Sequence, residues 1–391
     1  MLSAPPHPVA DRQALIAQAR QALLADGTAP TRAEVEPWIA RSWQRCLASG
    51  LQPTRPVAFD VVSAHALRRS HEENQLLLRA ARPVLDQLTR AIAGMRYFAM
   101  LTDAHGTVVE VQGPVDRQDP RASTIGRVGI DLSEAAVGTT AIGAALAELQ
   151  PVWLHRGEHF FDDNGSYSCA GAPLFDPHGR CVGMLDLTGV DVPERPELRH
   201  LVARSARAME DALLQQLPFA LLLRVNWPGC ALGSEGDGLV ALDGDGYVLG
   251  CNSMARQLLP LPLCPPGTQL HCGDLMALPW TLLFDTARHR GPHTPIDLPL
   301  WSGLRLHGVA LRPDNARSVH AGGSTAGGMY PALATPASNA VAPAPLREAE
   351  TALIRQAVQD ARGNVAEAAR ALGISRATVY RKLGPPRNKA V

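Results

Sequence analysis

The chain has 391 residues, 46% of them hydrophobic and 19% charged, with 37 basic side chains against 37 acidic ones. That length allows two or three domains with buried cores, and the charge balance excludes a polymer that is basic or acidic throughout. No basic segment with an apolar run and a small-residue cleavage site opens it, and the longest apolar patch, near residues 219–225, is too short and interrupted to span a bilayer, so the expected compartment is the cytoplasm, with no membrane partner.

Residues 1–90 alternate helical stretches with proline-containing breaks. Within them 34–49 carries Trp38, Ile39, Trp43 and Leu47 at helical spacing, and 67–92 continues a long helical pattern that suits either a dimer-forming helix or a packed one. From Tyr97 the pattern shortens to β-rich runs. Residues 97–102 and 107–111 flank Asp103-Ala104-His105-Gly106 as a hairpin, and 172–175 and 182–187 flank Asp176-Pro177-His178-Gly179 as another. Residues 134–149 between the pairs predict a helix, and 197–217 predict a closing one. Strands, helix, strands, helix make an α+β unit of sensor size.

Residues 41–217 resemble the GAF domain of the AcoR and DhaR type of bacterial regulators. The resemblance is carried by Arg41-Ser42-Trp43 with Cys46 and Gly50-Leu51, Ser133-Glu134, Gly138-Thr139-Thr140-Ala141-Ile142-Gly143, Glu158-His159-Phe160, Cys169 through Asp176-Pro177, and the run 183–189. It implies a cavity over the sheet that takes a small molecule or a partner protein, with Glu158, His159 and Cys169 as the polar ligand-binding positions to test. Asp162-Asp163-Asn164-Gly165-Ser166 stands where such regulators often carry more aromatic or histidine residues, so a ligand identity does not carry over.

Residues 238–259 then show the strand, turn, strand, Asn, helix order that resembles the opening of a PAS domain, with Asp243-Gly244-Asp245-Gly246 as the turn and Asn252 starting the helix. Further strands are expected at 296–300 and 304–311. Residues 314–345 are Gly, Ala, Ser, Thr and Pro with almost no charge or periodicity, the composition of a flexible tether.

The tail is the most specific segment. Asn364 and Glu367 suit a capping box, Val365, Ala368, Ala369 and Leu372 form an apolar stripe, Gly373 suits a tight turn, and Ser375 caps a second helix ending before Gly384-Pro385-Pro386. With Ile374, Val379 and Leu383 inward, Ser375, Arg376, Thr378, Tyr380, Arg381 and Lys382 are left for a major groove. From Leu346 onward nine Arg and Lys stand against four Asp and Glu, so the neutral chain has a basic end. A preceding amphipathic stretch, 346–361, supplies a third helix. The tail resembles the Fis-type DNA-binding domain at the C-terminus of many bacterial enhancer-binding activators.

Those activators usually place an AAA+ ATPase between sensor and tail. Here the glycines of 322–328 lack the lysine and preceding strand of a GxxxxGK[ST] phosphate loop, so they read as linker and no ATP hydrolysis or cofactor is expected. Seven cysteines without a CxxC pair suggest neither a disulfide framework nor a zinc module. His155 and His159 are four apart, but Glu158 is misplaced for HExxH. Cys169 with Cys181 keeps a thiol redox pair open, and for Asp186 in Leu185-Asp186-Leu187 a strand-end residue satisfied by backbone donors is an equal alternative to a ligand position.

The expectation is therefore a non-enzymatic, sequence-specific transcriptional regulator. Its parts are a helical region at 1–90, an α+β GAF sensor at 91–217, a small PAS-like α+β module at 218–313, a linker at 314–345 and an all-α Fis-type helix-turn-helix at 346–391. Its partners are double-stranded operator DNA, an effector and a second copy in a homodimer. The alternatives are a GAF-type thiol-dependent methionine sulfoxide reductase fused to a DNA-binding tail, and an architectural DNA-bending protein.

Overall fold

A computed structural model describes residues 9–27, 30–259, 269–289, 294–313 and 365. The chain divides into two units, Met1–Ala326 and Gly327–Val391. Apart from position 365 the second unit, with the expected helix-turn-helix, lies outside the described residues, as does the expected linker.

The first unit opens with α1 (Val9–Asp26) and α2 (Pro37–Ala48). Proline in the first turn of α2 loses nothing, because that N–H has no partner inside a helix, and Trp38, Ile39, Trp43 and Cys46 are buried. The pattern at 67–92 forms two helices rather than one, α3 (Ala64–Glu73) and α4 (Gln75–Ala91). They break at Asn74, whose side-chain amide donates to the Ser70 carbonyl at 2.8 Å, a local bond that competes with continuing the helix. Leu77, Ala80, Ala81, Leu85 and Leu88 form the buried face of α4.

Next come β1 (Tyr97–Asp103), β2 (Val108–Gln112), α5 (Pro120–Ile125), α6 (Glu134–Val137), α7 (Ala141–Glu148), β3 (Val152–His155), β4 (Tyr167–Phe175), β5 (Cys181–Val190) and α8 (Leu198–Leu214). The strands make one antiparallel sheet in the order β2-β1-β5-β4-β3. Both expected hairpins are present. The second is longer than its apolar cores suggested, because Tyr167 to Gly171 are held by pairing on both sides rather than by their own propensity.

Each face of this sheet is covered. Tyr97, Ala99, Leu101, Leu185 and Leu187 share one core with α4 and α8, while Phe98, Met100, Cys169 and Met184 share the other with α2 and α7.

The single helix expected at 134–149 is two. Gly138 lies between them at φ 68°, and a Cβ there would stand 2.8 Å from the Phe161 ring, so only glycine fits the break. Thr140 then restarts the chain by accepting the Gly143 N–H at 3.2 Å, capping α7.

The rest of the unit is β6 (Leu221–Asn226), β7 (Gly238–Leu242), β8 (Val248–Cys251), α9 (Ser253–Leu258), α10 (Thr281–His289), β9 (Ile296–Pro299) and β10 (Arg305–Leu311). Its strands form a second antiparallel sheet, β8-β7-β6-β10-β9. Asn252 begins α9 as expected: its Oδ1 accepts from Ala255 N at 2.8 Å and from Leu239 N at 2.9 Å. Its Nδ2 donates to Asp211 Oδ1 of α8 at 2.7 Å, and Arg256 donates to the Pro177 carbonyl at 2.6 Å. Cap and turn thus join the second sheet to α8 and to the β4–β5 hairpin. Among the described residues no helix is long and apolar enough to cross a membrane.

Candidate functional site

In the pairing of β4 with β5, Cys169 stands opposite Thr188 and Gly171 opposite Asp186. The two-residue period of a strand places all four on the face beneath α7. Gly171 allows the close approach: a Cβ there would lie 3.0 Å from the Ala141 carbonyl oxygen at the start of α7.

Between α7 and the sheet lies a small cavity with about 10 Å³ of free space, close to what one water needs. Phe59, Ile125, Leu132 and Tyr167 form its apolar wall, and Thr140, His159, Asn164, Cys169, Asp186 and Thr188 supply its polar atoms.

The polar set has a definite sense. His159 is 1% exposed; its Nδ1 donates to the Arg156 carbonyl at 2.9 Å, since a carbonyl only accepts, and Nε2 has no partner among the described residues. Burial lowers its pKa to about 4, so at neutral pH the ring is uncharged and Nε2 carries a lone pair. Asn164 donates through Nδ2 to the Val137 carbonyl at 3.1 Å, leaving Oδ1 as an unpaired acceptor. Asp186 is fully buried; Oδ2 accepts from Thr188 Oγ1 at 2.5 Å and Oδ1 has no partner among the described residues. Burial pushes the Asp186 carboxyl up to about 7.

Cys169 Sγ is 3.3 Å from the Thr188 hydroxyl. Burial first, and then the neighbouring Asp186 charge, raise its pKa well above the ordinary thiol value, so the S–H donates to Thr188, whose own hydrogen goes to Asp186. A nucleophilic cysteine needs the opposite environment. Nor does Cys181 reach it, because Cys181 pairs with Phe175, six residues along β4 from Cys169. At ~3.3 Å per residue that is roughly 20 Å, against the ~7 Å limit for bridged Cα atoms. The register therefore excludes the redox pair that the sequence left open.

Of the three tentative ligand positions, His159 and Cys169 meet at the cavity and Glu158 does not line it. The Glu158 carboxylate accepts from Arg12 Nη2 at 2.5 Å and from the His155 backbone N–H at 2.7 Å, and its carbonyl accepts from the Trp43 indole at 2.9 Å. It fastens α1 and α2. Burial lifts its pKa to about 7 and outweighs the opposing effect of Arg12. His155 ends β3 and His159 follows a tight 3-10 turn, so their spacing of four does not correspond to a shared helix face; His155 Nδ1 lies 2.5 Å from Ser168 Oγ. Among the described residues no group of three His, Cys, Asp or Glu side chains is placed to hold a metal.

Asp186 is the main correction. It is a buried residue in mid-strand bonded to a side chain, not a strand end satisfied by backbone donors. The signal for it was a carboxylate inside a run, 183–190, whose apolar neighbours face cores on both sides. Asn164 had no comparable signal, being one of four polar residues in the run 162–166.

The Arg41-Ser42-Trp43 motif builds a clamp. Arg45 donates to both oxygens of Glu134, at 2.7 and 2.9 Å, and to Glu148 at 2.9 Å, while Arg41 also pairs with Glu148. Ser42 Oγ donates to Glu134 at 2.5 Å and lies 2.7 Å from Thr139 Oγ1. α2 is thereby tied to both ends of the α6–α7 segment, next to the cavity residue Thr140. Ser375, Arg376, Thr378, Tyr380, Arg381 and Lys382, expected to read DNA, lie outside the described residues.

Residues 13–211 match the family described as the MimR N-terminal domain, and residues 345–384 match the Fis family of bacterial regulatory proteins. The acetoin catabolism regulatory protein of Cupriavidus necator is 32% identical over 228 residues, which is 56% of this chain and 34% of that protein. The acetoin dehydrogenase operon transcriptional activator AcoR of Bacillus subtilis is 30% identical over 176 residues, 45% of this chain and 29% of that protein. The chain thus spans about a third of the length of these curated relatives. The crystal structure of the E. coli DhaR(N)–DhaL complex covers 71% of this chain and 99% of its own, at 16% identity and a TM-score of 0.43.

Proposed function

We propose, for a chain that belongs to the MimR N-terminal domain family, a cytoplasmic transcriptional regulator that reads operator DNA under control of an effector bound in its N-terminal half. The observation that carries this reading is the presence in one chain of that N-terminal domain and a Fis-family region at 345–384. In it, the β1–β5 sheet with its helices is a GAF-type sensor, the β6–β10 sheet a PAS-like module, 314–345 a tether, and 346–391 the helix-turn-helix. Ser375, Arg376, Thr378, Tyr380, Arg381 and Lys382 meet the major groove. Two copies meet two half-sites about one helical turn apart, because one reader offers few base contacts.

The effector is a small molecule in the cavity beneath α7. Unpaired acceptors on His159, Asn164 and Asp186, all buried, support that placement, since such atoms are ordinarily hydrogen-bonded. Occupancy shifts the start of α7, and the Thr139, Glu134 and Arg45 contacts carry that shift to α2. Sensing needs no ATP turnover here, in keeping with the lack of a GxxxxGK[ST] loop.

Footprinting of the full chain on the region upstream of its own coding sequence tests the reading, with and without candidate effectors. A protected site that disappears when the chain ends at Pro345 is expected. Undiminished protection by the shortened chain overturns the assignment of DNA reading to the tail.

A further inference from the structure

Of the polar atoms that the cavity leaves open, three are acceptors once Asp186 is ionised, those of His159, Asn164 and Asp186, and the Thr140 hydroxyl is the one open donor among the described residues. Nε2 of neutral His159 is a lone pair because Nδ1 holds the proton for Arg156; Oδ1 of Asn164 faces in because Nδ2 is spent on Val137; and Oδ1 of Asp186 is free because Thr188 donates to the other oxygen. The Thr188 and Cys169 hydrogens are committed along the chain that ends on Asp186, and the Tyr167 hydroxyl donates to the Arg121 carbonyl at 3.3 Å. Thr140 is the one hydroxyl of the lining that accepts from the backbone without donating to another described residue. Among the described residues no arginine or lysine lines the space.

We infer that the cavity selects a small molecule that donates hydrogen bonds, carrying two or more hydroxyl or amine hydrogens on a short aliphatic frame, and rejects carboxylates and simple ketones. The inference rests on the placement of the effector site in this cavity. A donor satisfies buried acceptors that have no partner among the described residues, whereas a carboxylate brings more acceptors and a charge of the same sign as ionised Asp186. The aliphatic and aromatic wall suits a short carbon frame. The free space is near that of a single water, so a three-carbon guest requires the pocket to widen, with the half-buried Phe59 side chain on the α2–α3 loop displaced to admit it.

A matched three-carbon series tests this on the full chain by calorimetric titration at about pH 8, where Asp186 is ionised: propane-1,2-diol, 1-aminopropan-2-ol, lactate and acetone. Saturable binding of the diol or the amino alcohol is expected, at least tenfold tighter than lactate or acetone, and the tighter of the two tells hydroxyl from ammonium recognition. Asp186→Asn replaces a free acceptor by an amide at nearly the same volume and is expected to weaken the preferred compound at least tenfold. Its melting temperature is measured alongside. If Asp186→Asn does not fold, Asn164→Leu, which removes another of the acceptors, is held to the same tenfold loss. Lactate or acetone binding within a factor of two of the diol, with the Asp186 or Asn164 change without effect, overturns the donor rule and leaves the cavity as the site. No saturable binding by any of the four overturns both.

Discussion

Asp186 accepts the Thr188 hydroxyl at 2.5 Å along one face of β5, while its second oxygen is buried without a partner among the described residues. Burial raises the pKa of a carboxyl so placed to about 7 against an ordinary 3.8, so it ionises, and Oδ1 becomes a pure acceptor, only as pH rises through about 7. Because the folded value is the higher one, its contribution to stability is complete below pH 3.8 and is lost as pH rises through about 7. Asp186→Asn is therefore expected to change the melting temperature little at pH 4 and to raise it most at pH 8, by roughly 1 to 3 kcal/mol of stability. A constant difference across that range, followed by thermal denaturation, counts against the buried-acid account.

His159 titrates in the opposite sense. Its folded pKa of about 4 lies below the ordinary 6.5, so the stability it contributes is present above pH 6.5 and is lost as pH falls toward 4. His159→Gln, which keeps an acceptor, is expected to lose less stability than wild type on acidification from pH 6.5 to 4.5. Parallel melting curves for the two proteins rule this out.

The Arg45 clamp is expected to hold α2 against the α6–α7 segment. Its guanidinium is 38% exposed, so solvent screening reduces the worth of the pairs, and Arg45→Ala should cost about 1 kcal/mol. The sharper readout is local: amide exchange in α2 and at 138–140 is expected to quicken while β1 and β5 stay protected. Uniform acceleration across the sheet would mean that the clamp supports the whole fold.

Thiol labelling separates the cysteines. Cys230 is exposed, whereas Cys169 is buried with its pKa raised, so a thiol reagent followed by peptide mapping is expected to modify Cys230 first and Cys169 only on unfolding. Labelling of native Cys169 at the rate of Cys230, or turnover of free methionine sulfoxide with a thiol donor, would revive the reductase alternative.

On the proposed reading of the tail, Arg376 reads a guanine edge and Arg381 meets phosphate. Arg376→Ala is expected to cost about 1 to 3 kcal/mol on the cognate site and little on random DNA. Arg381→Ala should weaken both and flatten the salt dependence by about one unit of slope. Equal loss on both DNAs for Arg376→Ala, with the tail folded, refutes base reading by that residue. Titrations at several salt concentrations give both numbers.

What the sequence determined by itself was local or short in range. The hairpins at Asp103–Gly106 and Asp176–Gly179, the cap at Asn252 and the apolar face of α4 follow from turn residues, capping chemistry and period, and each is present. The tail was legible for the same reason, and residues 345–384 match the Fis family on that local pattern. The breaks at Asn74 and Gly138 were not read, because periodicity continues through them: one is set by a side-chain bond to the preceding turn, the other by the distant ring of Phe161. The candidate site belongs to tertiary structure even more fully. Strand register put Asp186 and Thr188 beside Cys169 and took Cys181 far away, and a tight turn sent His159 toward the cavity while Glu158 went to Arg12. Which buried acceptors share a space depends on strand pairings between residues 15 or more apart in the chain, such as Gly171 with Asp186, and no local propensity encodes them.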